Sequence, residues 1–178
     1  MPDADKAKQI AAAFEANKGA NGLLPPKALA QMAKDFGFSP TTFGTKTSEW
    51  LVASFDSHPA KGGLTLKGLQ GCLDYVMEWK GIFEQYDIDH TGQLDKLSFN
   101  RAMADLGYGV GLSIFDSVWD TYDADRSGSV TLDEFMQAIS ELNHYKTYFA
   151  QYDNGAGVGA LSFDAYCKIA FTLPHPGV

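Results

Sequence analysis

The sequence lacks the features of several protein classes. It has only two cysteines, Cys72 and Cys167, which stand far apart and outside any CxxC spacing, so we expect buried free thiols rather than a disulfide framework or a zinc site. No apolar run approaches the ~20 residues of a membrane helix, and the N-terminal segment carries lysines and acids where a signal peptide would be apolar. These absences favour a cytoplasmic protein without a transmembrane segment, and they leave peripheral membrane association open.

Positive charge is also scarce. The 178 residues contain 14 lysines and arginines against 22 acids, which gives a net charge of -8. Such a chain has no overall positive field to attract a phosphate backbone, so nucleic acid is not an expected partner. Low-complexity tracts are absent too, and a hydrophobic content of 45% is typical of a folded globular protein.

What the sequence does have is an internal repeat. Glycine-bearing loops start near positions 17, 56, 87, 123 and 153, at intervals of 39, 31, 36 and 30 residues. In every copy an aliphatic residue follows a glycine closely: Leu24, Leu64, Leu94, Val130 and Leu161. The pattern predicts an all-α fold of five consecutive helix-loop-helix hands in one domain, 1–178, with about eight helices and short β pairs between loops. The predicted hands cover about 3–37, 42–78, 67–107, 111–146 and 134–172, so that hands 2 and 3, and hands 4 and 5, share a helix.

The flanks of the loops read as amphipathic helices, because apolar residues recur at three- and four-residue spacing. Three such faces are predicted. One carries Leu69, Leu73, Val76, Lys80 and Phe83, another Phe135, Ala138, Ile139, Leu142, Tyr145 and Phe149, and a third Leu112, Phe115 and Trp119. Core packing is the favoured interpretation of each face.

The segment 123–134 carries the clearest chemistry. Calcium takes 6 to 8 oxygen ligands, so a calcium-binding loop places oxygens at alternate residues and a glycine at its sharp turn. The predicted ligands are Asp123, Asp125, Ser127, Ser129 (through its carbonyl), Thr131 (through a water) and Glu134, which closes the sphere with both carboxylate oxygens. Gly128 stands at the turn. We therefore predict a calcium site here, and the sequence leaves open whether Mg²⁺ competes.

The segment 87–98 keeps the same register but ends differently. Its candidate ligands are Asp87, Asp89, Thr91, Gln93, Asp95 and Ser98. Ser98 stands where the closing glutamate belongs, so the loop is expected to be either weakly occupied or empty. The other three loops lack the carboxylate pattern and are predicted to be structural hands without a metal.

Taken together, these motifs resemble the penta-EF-hand family of calcium-binding proteins, which includes domains of calpains. The alternating loop spacing carries the resemblance, as does the segment 75–87, in which Trp79 precedes the third loop. This chain departs from the family in having its one complete loop in the fourth hand, whereas the family generally relies on the first and third. The resemblance implies a homodimer formed through the fifth hand, whereas a protein partner, with binding that depends on calcium, is expected from the site 123–134 itself.

Three functions stay open at this stage. The favoured one is a calcium sensor or adaptor that changes an apolar surface offered to a partner. The second is a structural or buffering module, and a regulatory subunit of a calpain-like protease is a further alternative. An enzyme is not expected, because no histidine lies in a cysteine-protease motif.

The fifth hand has no partner within the chain if the first pairs with the second and the third with the fourth. Its apolar residues, Leu161, Phe163, Tyr166, Ile169 and Phe171, predict a twofold interface between two copies. The alternatives are that the tail 173–178 covers this patch or that a different EF-hand protein does.

Overall fold

The computed structural model describes residues 4–38, 43–56 and 62–153. These residues form seven helices and one two-stranded sheet. The helices are α1 (Ala4–Asn17), α2 (Pro26–Asp35), α3 (Thr45–Phe55), α4 (Leu66–Glu84), α5 (Lys96–Asp105), α6 (Leu112–Tyr122) and α7 (Leu132–Phe149), and the strands are β1 (Gln93–Asp95) and β2 (Ser129–Thr131). The predicted all-α class is confirmed in this part of the chain. The predicted fifth hand lies outside the described residues from position 154 onward, so the count of five and the sharing of helices stay predictions.

The chain divides into two compact units. The first comprises residues 1–93 with 131–133, and the second comprises residues 94–130 with 134–178. None of the helices in the described residues combines the length and apolar character that a membrane crossing requires.

In the first unit, a β-bridge joins the loops of the first two hands. Leu24 and Leu64 exchange two backbone hydrogen bonds of 2.8 and 3.0 Å, and both side chains are fully buried. Each leucine follows its loop glycine, as the repeat predicts. The bridge lets two loops that offer few carboxylates support each other through their backbones.

The first unit also contains a contact that no local sequence pattern predicts. The N-terminus of α3 begins after Gly44, which has no side chain to cap the helix. Asp133, 89 residues away, supplies the cap instead: its Oδ2 accepts the Gly44 N–H at 3.0 Å and the Thr47 hydroxyl at 3.3 Å. Its Oδ1 accepts the Thr131 hydroxyl at 2.7 Å. One carboxylate therefore holds both a helix end and the start of α7.

The second unit packs around Phe99. This fully buried ring lies about 6 Å, centroid to centroid, from Phe115, Trp119 and Phe135, which come from α6 and α7. Strand β1 pairs with β2, and Leu94 and Val130, at the centres of the two strands, are fully buried. The predicted short β pair is thus present between the third and fourth loops.

The helix ends follow the local sequence. Thr65 caps α4 by accepting the Gly68 N–H at 3.1 Å. Gly37 and Gly107 follow the ends of α2 and α5 with φ values of 70° and 81°, a left-handed conformation that glycine adopts without strain. Glycine is the usual residue at this position after a helix.

The predicted helix faces are largely buried, but some of their residues are more exposed than expected. On α4 the apolar members of the face, Leu69, Leu73, Val76 and Phe83, are buried, and so is Cys72, whose burial raises the pKa of its thiol to about 12. Leu112 was expected in the core with Phe115 and Trp119, but it is 75% exposed. It is the first residue of α6, and helical side chains lean toward the N-terminus, so it projects beyond the turn that packs. On α7, burial ends at Ile139, and Leu142, Tyr145 and Phe149 are half-exposed.

Candidate calcium-binding loops

The fourth loop, 123–134, connects α6 to α7 and contains β2. It begins at Asp123, which is buried and accepts the Gly128 N–H at 3.1 Å through Oδ2. Gly128 has φ 78°, so the glycine predicted at the sharp turn does adopt the left-handed conformation of that turn. Arg126, two residues earlier, also adopts a left-handed conformation, with φ 56°. The loop is therefore folded back on its first carboxylate.

Several predicted ligands of this loop lie together. The Ser127 hydroxyl lies 3.1 Å from Asp123 Oδ1, 3.0 Å from the Ser129 carbonyl oxygen and 3.2 Å from the Ser129 hydroxyl. Oxygens that share one calcium ion at ~2.4 Å also lie about 3 Å apart. The hydroxyl oxygen at position 5 thus lies, from the oxygens at positions 1 and 7, at the spacing of oxygens that share a hard cation.

The remaining predicted ligands of the fourth loop have other contacts. Asp125 is exposed and accepts the Ser127 N–H at 3.0 Å, a hydrogen bond that lowers the pKa of its carboxyl group. The Thr131 hydroxyl donates to Asp133 Oδ1 at 2.7 Å. Glu134 is half-buried in the first turn of α7. Asp125 is thus expected to be ionised at neutral pH, as cation binding requires.

The third loop, 87–98, has nearly the same geometry in its first half. Asp87 is buried and accepts the N–H groups of Thr91, at 3.0 Å, and of Gly92, at 2.8 Å. The Thr91 hydroxyl lies 3.1 Å from Asp89 Oδ1 and 3.3 Å from the Gln93 carbonyl oxygen. Gly92 and the preceding His90 have φ values of 78° and 54°, which match the turn of the fourth loop. The early ligand positions are therefore equivalent in the two loops.

The second half of the third loop departs from a complete site. Asp95, predicted as a ligand, is the N-cap of α5 and accepts the Ser98 N–H at 2.7 Å. This backbone hydrogen bond is the main cause of the lowered pKa of Asp95. Ser98 itself carries no carboxylate. The loop therefore has its turn and its early ligands, and it lacks a closing group.

No three side chains of His, Cys, Asp or Glu are gathered at metal-binding distance within 4–38, 43–56 and 62–153. The oxygen set at the fourth loop consists instead of one carboxylate, two hydroxyls and a carbonyl. The first two loops offer less: in the first, the Asn21 side chain accepts the Leu23 N–H at 3.2 Å, and in the second, Asp56 accepts the Gly63 N–H at 3.4 Å. The fifth loop and the dimer residues Leu161, Phe163, Tyr166, Ile169 and Phe171 lie outside the described residues.

Sequence analysis missed two carboxylates that hold the fourth hand in place. One is Asp133, described above. The other is Glu141, which accepts the hydroxyl groups of Tyr122 and Tyr145. Nothing in the local sequence marks Glu141, although its position four residues before Tyr145 on a helix indicates that those two side chains can meet.

Comparison with known proteins agrees with this geometry. A family description of an EF-hand domain pair matches residues 76–140. Peflin from Xenopus laevis is 24% identical over 155 residues, which are 85% of this chain and 53% of that protein. Peflin from Homo sapiens is 23% identical over 82% of this chain, and Calpain-A from Drosophila melanogaster is 24% identical over 58% of it. The chain thus spans about half the length of the peflins it matches.

A solved structure shows the same fold. It is a homolog of programmed cell death 6 protein from Leishmania major Friedlin, with a TM-score of 0.79 and 20% identity, and the match covers 98% of this chain and 93% of that one. At this identity the likeness concerns the fold alone.

Proposed function

The chain belongs to the penta-EF-hand family of calcium-binding proteins, and from this premise we propose that it is a calcium sensor or adaptor. In this proposal Ca²⁺ binds at the loop 123–134, reorients the helices of the fourth hand and changes an apolar surface offered to a protein partner. The protein acts by binding rather than by catalysis.

The convergence of oxygens around Ser127 is the observation that carries the proposal. The Ser127 hydroxyl already lies 3.0 to 3.2 Å from oxygens of Asp123 and Ser129. A bound calcium ion adds the carboxylate of Glu134, which stands at the start of α7 and carries that helix with it. Binding at this loop is thus mechanically connected to the angle between α6 and α7.

Exposed apolar side chains at the start of the fourth hand support a partner-binding role. Val110, Leu112 and Ile114 are 39%, 75% and 57% exposed and lie within five consecutive residues. Exposed apolar groups that stand close together are typical of protein interaction sites. Because this segment leads into α6, a change in the α6–α7 angle would alter what it presents.

The proposal is tested by calorimetric titration of calcium into the wild type and into Glu134→Gln. The variant loses a charge and a bidentate ligand, so the tightest binding phase should disappear. Asp120→Asn, an exposed residue of α6 outside the loop, removes the same charge and should leave that phase in place. Undiminished binding by Glu134→Gln would rule out this loop as the main site.

The second candidate is a structural or buffering module. It has support in the third loop, which has its turn but no closing carboxylate. This leaves the fourth loop as the one strong calcium site among the third and fourth hands, and a single site could serve only to stabilise the fold. A hydrophobic dye separates the two candidates, because calcium changes dye fluorescence only if it changes apolar exposure. The match to Calpain-A, which covers 12% of that protein, also keeps a regulatory subunit of a calpain-like protease as an alternative.

Further parts of the proposal rest on the sequence. We propose a cytoplasmic protein that forms a homodimer through the fifth hand, binds no nucleic acid and is open to competition by Mg²⁺ at the loop 123–134. The net charge of -8 supports the exclusion of nucleic acid.

A further inference from the structure

A carboxylate outside the fourth loop joins the two helices of its hand. Glu141, on α7, accepts the Tyr122 hydroxyl at 2.6 Å through Oε2 and the Tyr145 hydroxyl at 2.5 Å through Oε1. The two hydrogen bonds differ in what they connect. Tyr122 is the last residue of α6, whereas Tyr145 lies on α7 itself, one turn beyond Glu141. Only the first bond crosses between the helices.

The Tyr122 hydroxyl keeps its proton and therefore remains a hydrogen-bond donor. Its side chain is buried, and burial together with the Glu141 carboxylate raises the pKa of Tyr122 above its usual range. Tyr122 also directly precedes Asp123, the first predicted ligand of the loop. The cross-helix bond therefore fixes the entrance of the calcium loop to the middle of α7.

Opening of the hand would break this bond. Calcium changes the angle between the helices of a sensor hand by about 40°. Glu141 lies nine residues along α7 from Leu132, which is about 13 Å at the helical rise of ~1.5 Å per residue. A rotation of about 40° about the start of α7 would move Glu141 by about 9 Å. A hydrogen bond cannot span such a displacement, whereas the bond to Tyr145 would travel with the helix.

We infer that the hydrogen bond between Tyr122 and Glu141 is a latch that holds the fourth hand closed and lowers the calcium affinity of the loop 123–134. This inference rests on the proposed sensor function, because the latch opposes binding only if binding opens the hand. Glu141 is then a positioning residue: it touches no cation, and it sets the affinity through the helix angle.

The test compares two single-atom deletions by calcium titration of the full chain. Tyr122→Phe removes the cross-helix bond and should lower the calcium Kd by about tenfold, the lower end of what a hydrogen bond to a charged group is worth. Tyr145→Phe removes a bond to the same carboxylate within one helix and should leave the Kd unchanged. Dye fluorescence with and without calcium is recorded for each protein.

A second variant tests the same hydrogen bond in case Tyr122→Phe does not fold. Glu141→Gln weakens the latch from the other side and should also bind calcium more tightly. The loss of a negative charge would by itself weaken cation binding, so tighter binding identifies the hydrogen bond as the cause.

Two results would count against the latch, and they are distinguishable. If calcium still exposes dye-binding surface while Tyr122→Phe and Glu141→Gln keep the wild-type Kd within twofold, the latch is wrong and the sensor function stands. If the wild type shows no dye response to calcium, the sensor function fails and the latch fails with it.

Discussion

The cap that Asp133 places on α3 can be removed without disturbing the core. Asp133→Ala deletes the acceptor of the Gly44 N–H, at 3.0 Å, and of the hydroxyl groups of Thr47, at 3.3 Å, and Thr131, at 2.7 Å. Gly44 has no side chain with which to replace the cap, and Thr47 is fully buried. Water therefore cannot readily take the place of the lost carboxylate at Thr47.

The size of the effect follows from two known contributions. Loss of a helix N-cap costs about 1 kcal/mol, and a hydrogen bond to a charged acceptor contributes about 1.5 to 3 kcal/mol. These contributions overlap, because one carboxylate makes them all, so we expect a loss of about 2 kcal/mol. For a protein of this length that corresponds to a fall in Tm of about 4 to 8 °C.

Thermal unfolding in the presence of a calcium chelator measures this loss, since chelation separates helix capping from any effect on the loop 123–134. Asp116→Ala is the matched control. It breaks an ion pair of 2.7 Å with Lys96 in which both side chains are about half exposed, so its effect should stay below about 1 kcal/mol. If Asp133→Ala lowers Tm no more than Asp116→Ala does, the long-range cap contributes nothing and the reasoning is wrong.

Two further predictions concern the third and fifth hands. Ser98→Glu should add a second calcium site by calorimetry, because the N-cap of α5 uses the backbone N–H of Ser98 and survives the change; an unchanged stoichiometry would show that the loop is unsuitable for another reason. In sedimentation equilibrium the intact chain should have twice its 19.3 kDa monomer mass, whereas a chain ending at Asp153 should not, and a monomeric intact chain at tens of micromolar would refute the homodimer.

Much of the fold was predictable because the repeat combines several local signals in one register. The glycine of each described loop, the aliphatic residue after it and the apolar face of the next helix are all short-range patterns. The loop glycines Gly92 and Gly128 adopt left-handed conformations, and the paired residues Leu94 and Val130 are fully buried. These positions are set by the loop itself.

What the sequence did not reveal depends on contacts between distant segments. Asp133 reads as an ordinary acid in a first helical turn, and only the folded chain places it at Gly44. Leu112 fits an apolar face by spacing, yet spacing does not say where the neighbouring surface ends. Tertiary position decides each of these cases.

The pairing of β1 with β2 has a consequence for how sharply the protein can respond to calcium. Binding curves become steeper than a simple hyperbola only when at least two coupled sites fill together, and the Hill coefficient cannot exceed the number of sites. The backbone bonds between the two loops provide a route for such coupling, but Ser98 deprives the third loop of the carboxylate that would make it an equal partner. With one strong site in the pair, occupancy should rise from a tenth to nine tenths over roughly an eightyfold range of free calcium. Under the proposed function, the third and fourth hands would therefore give a graded response to calcium rather than an abrupt one.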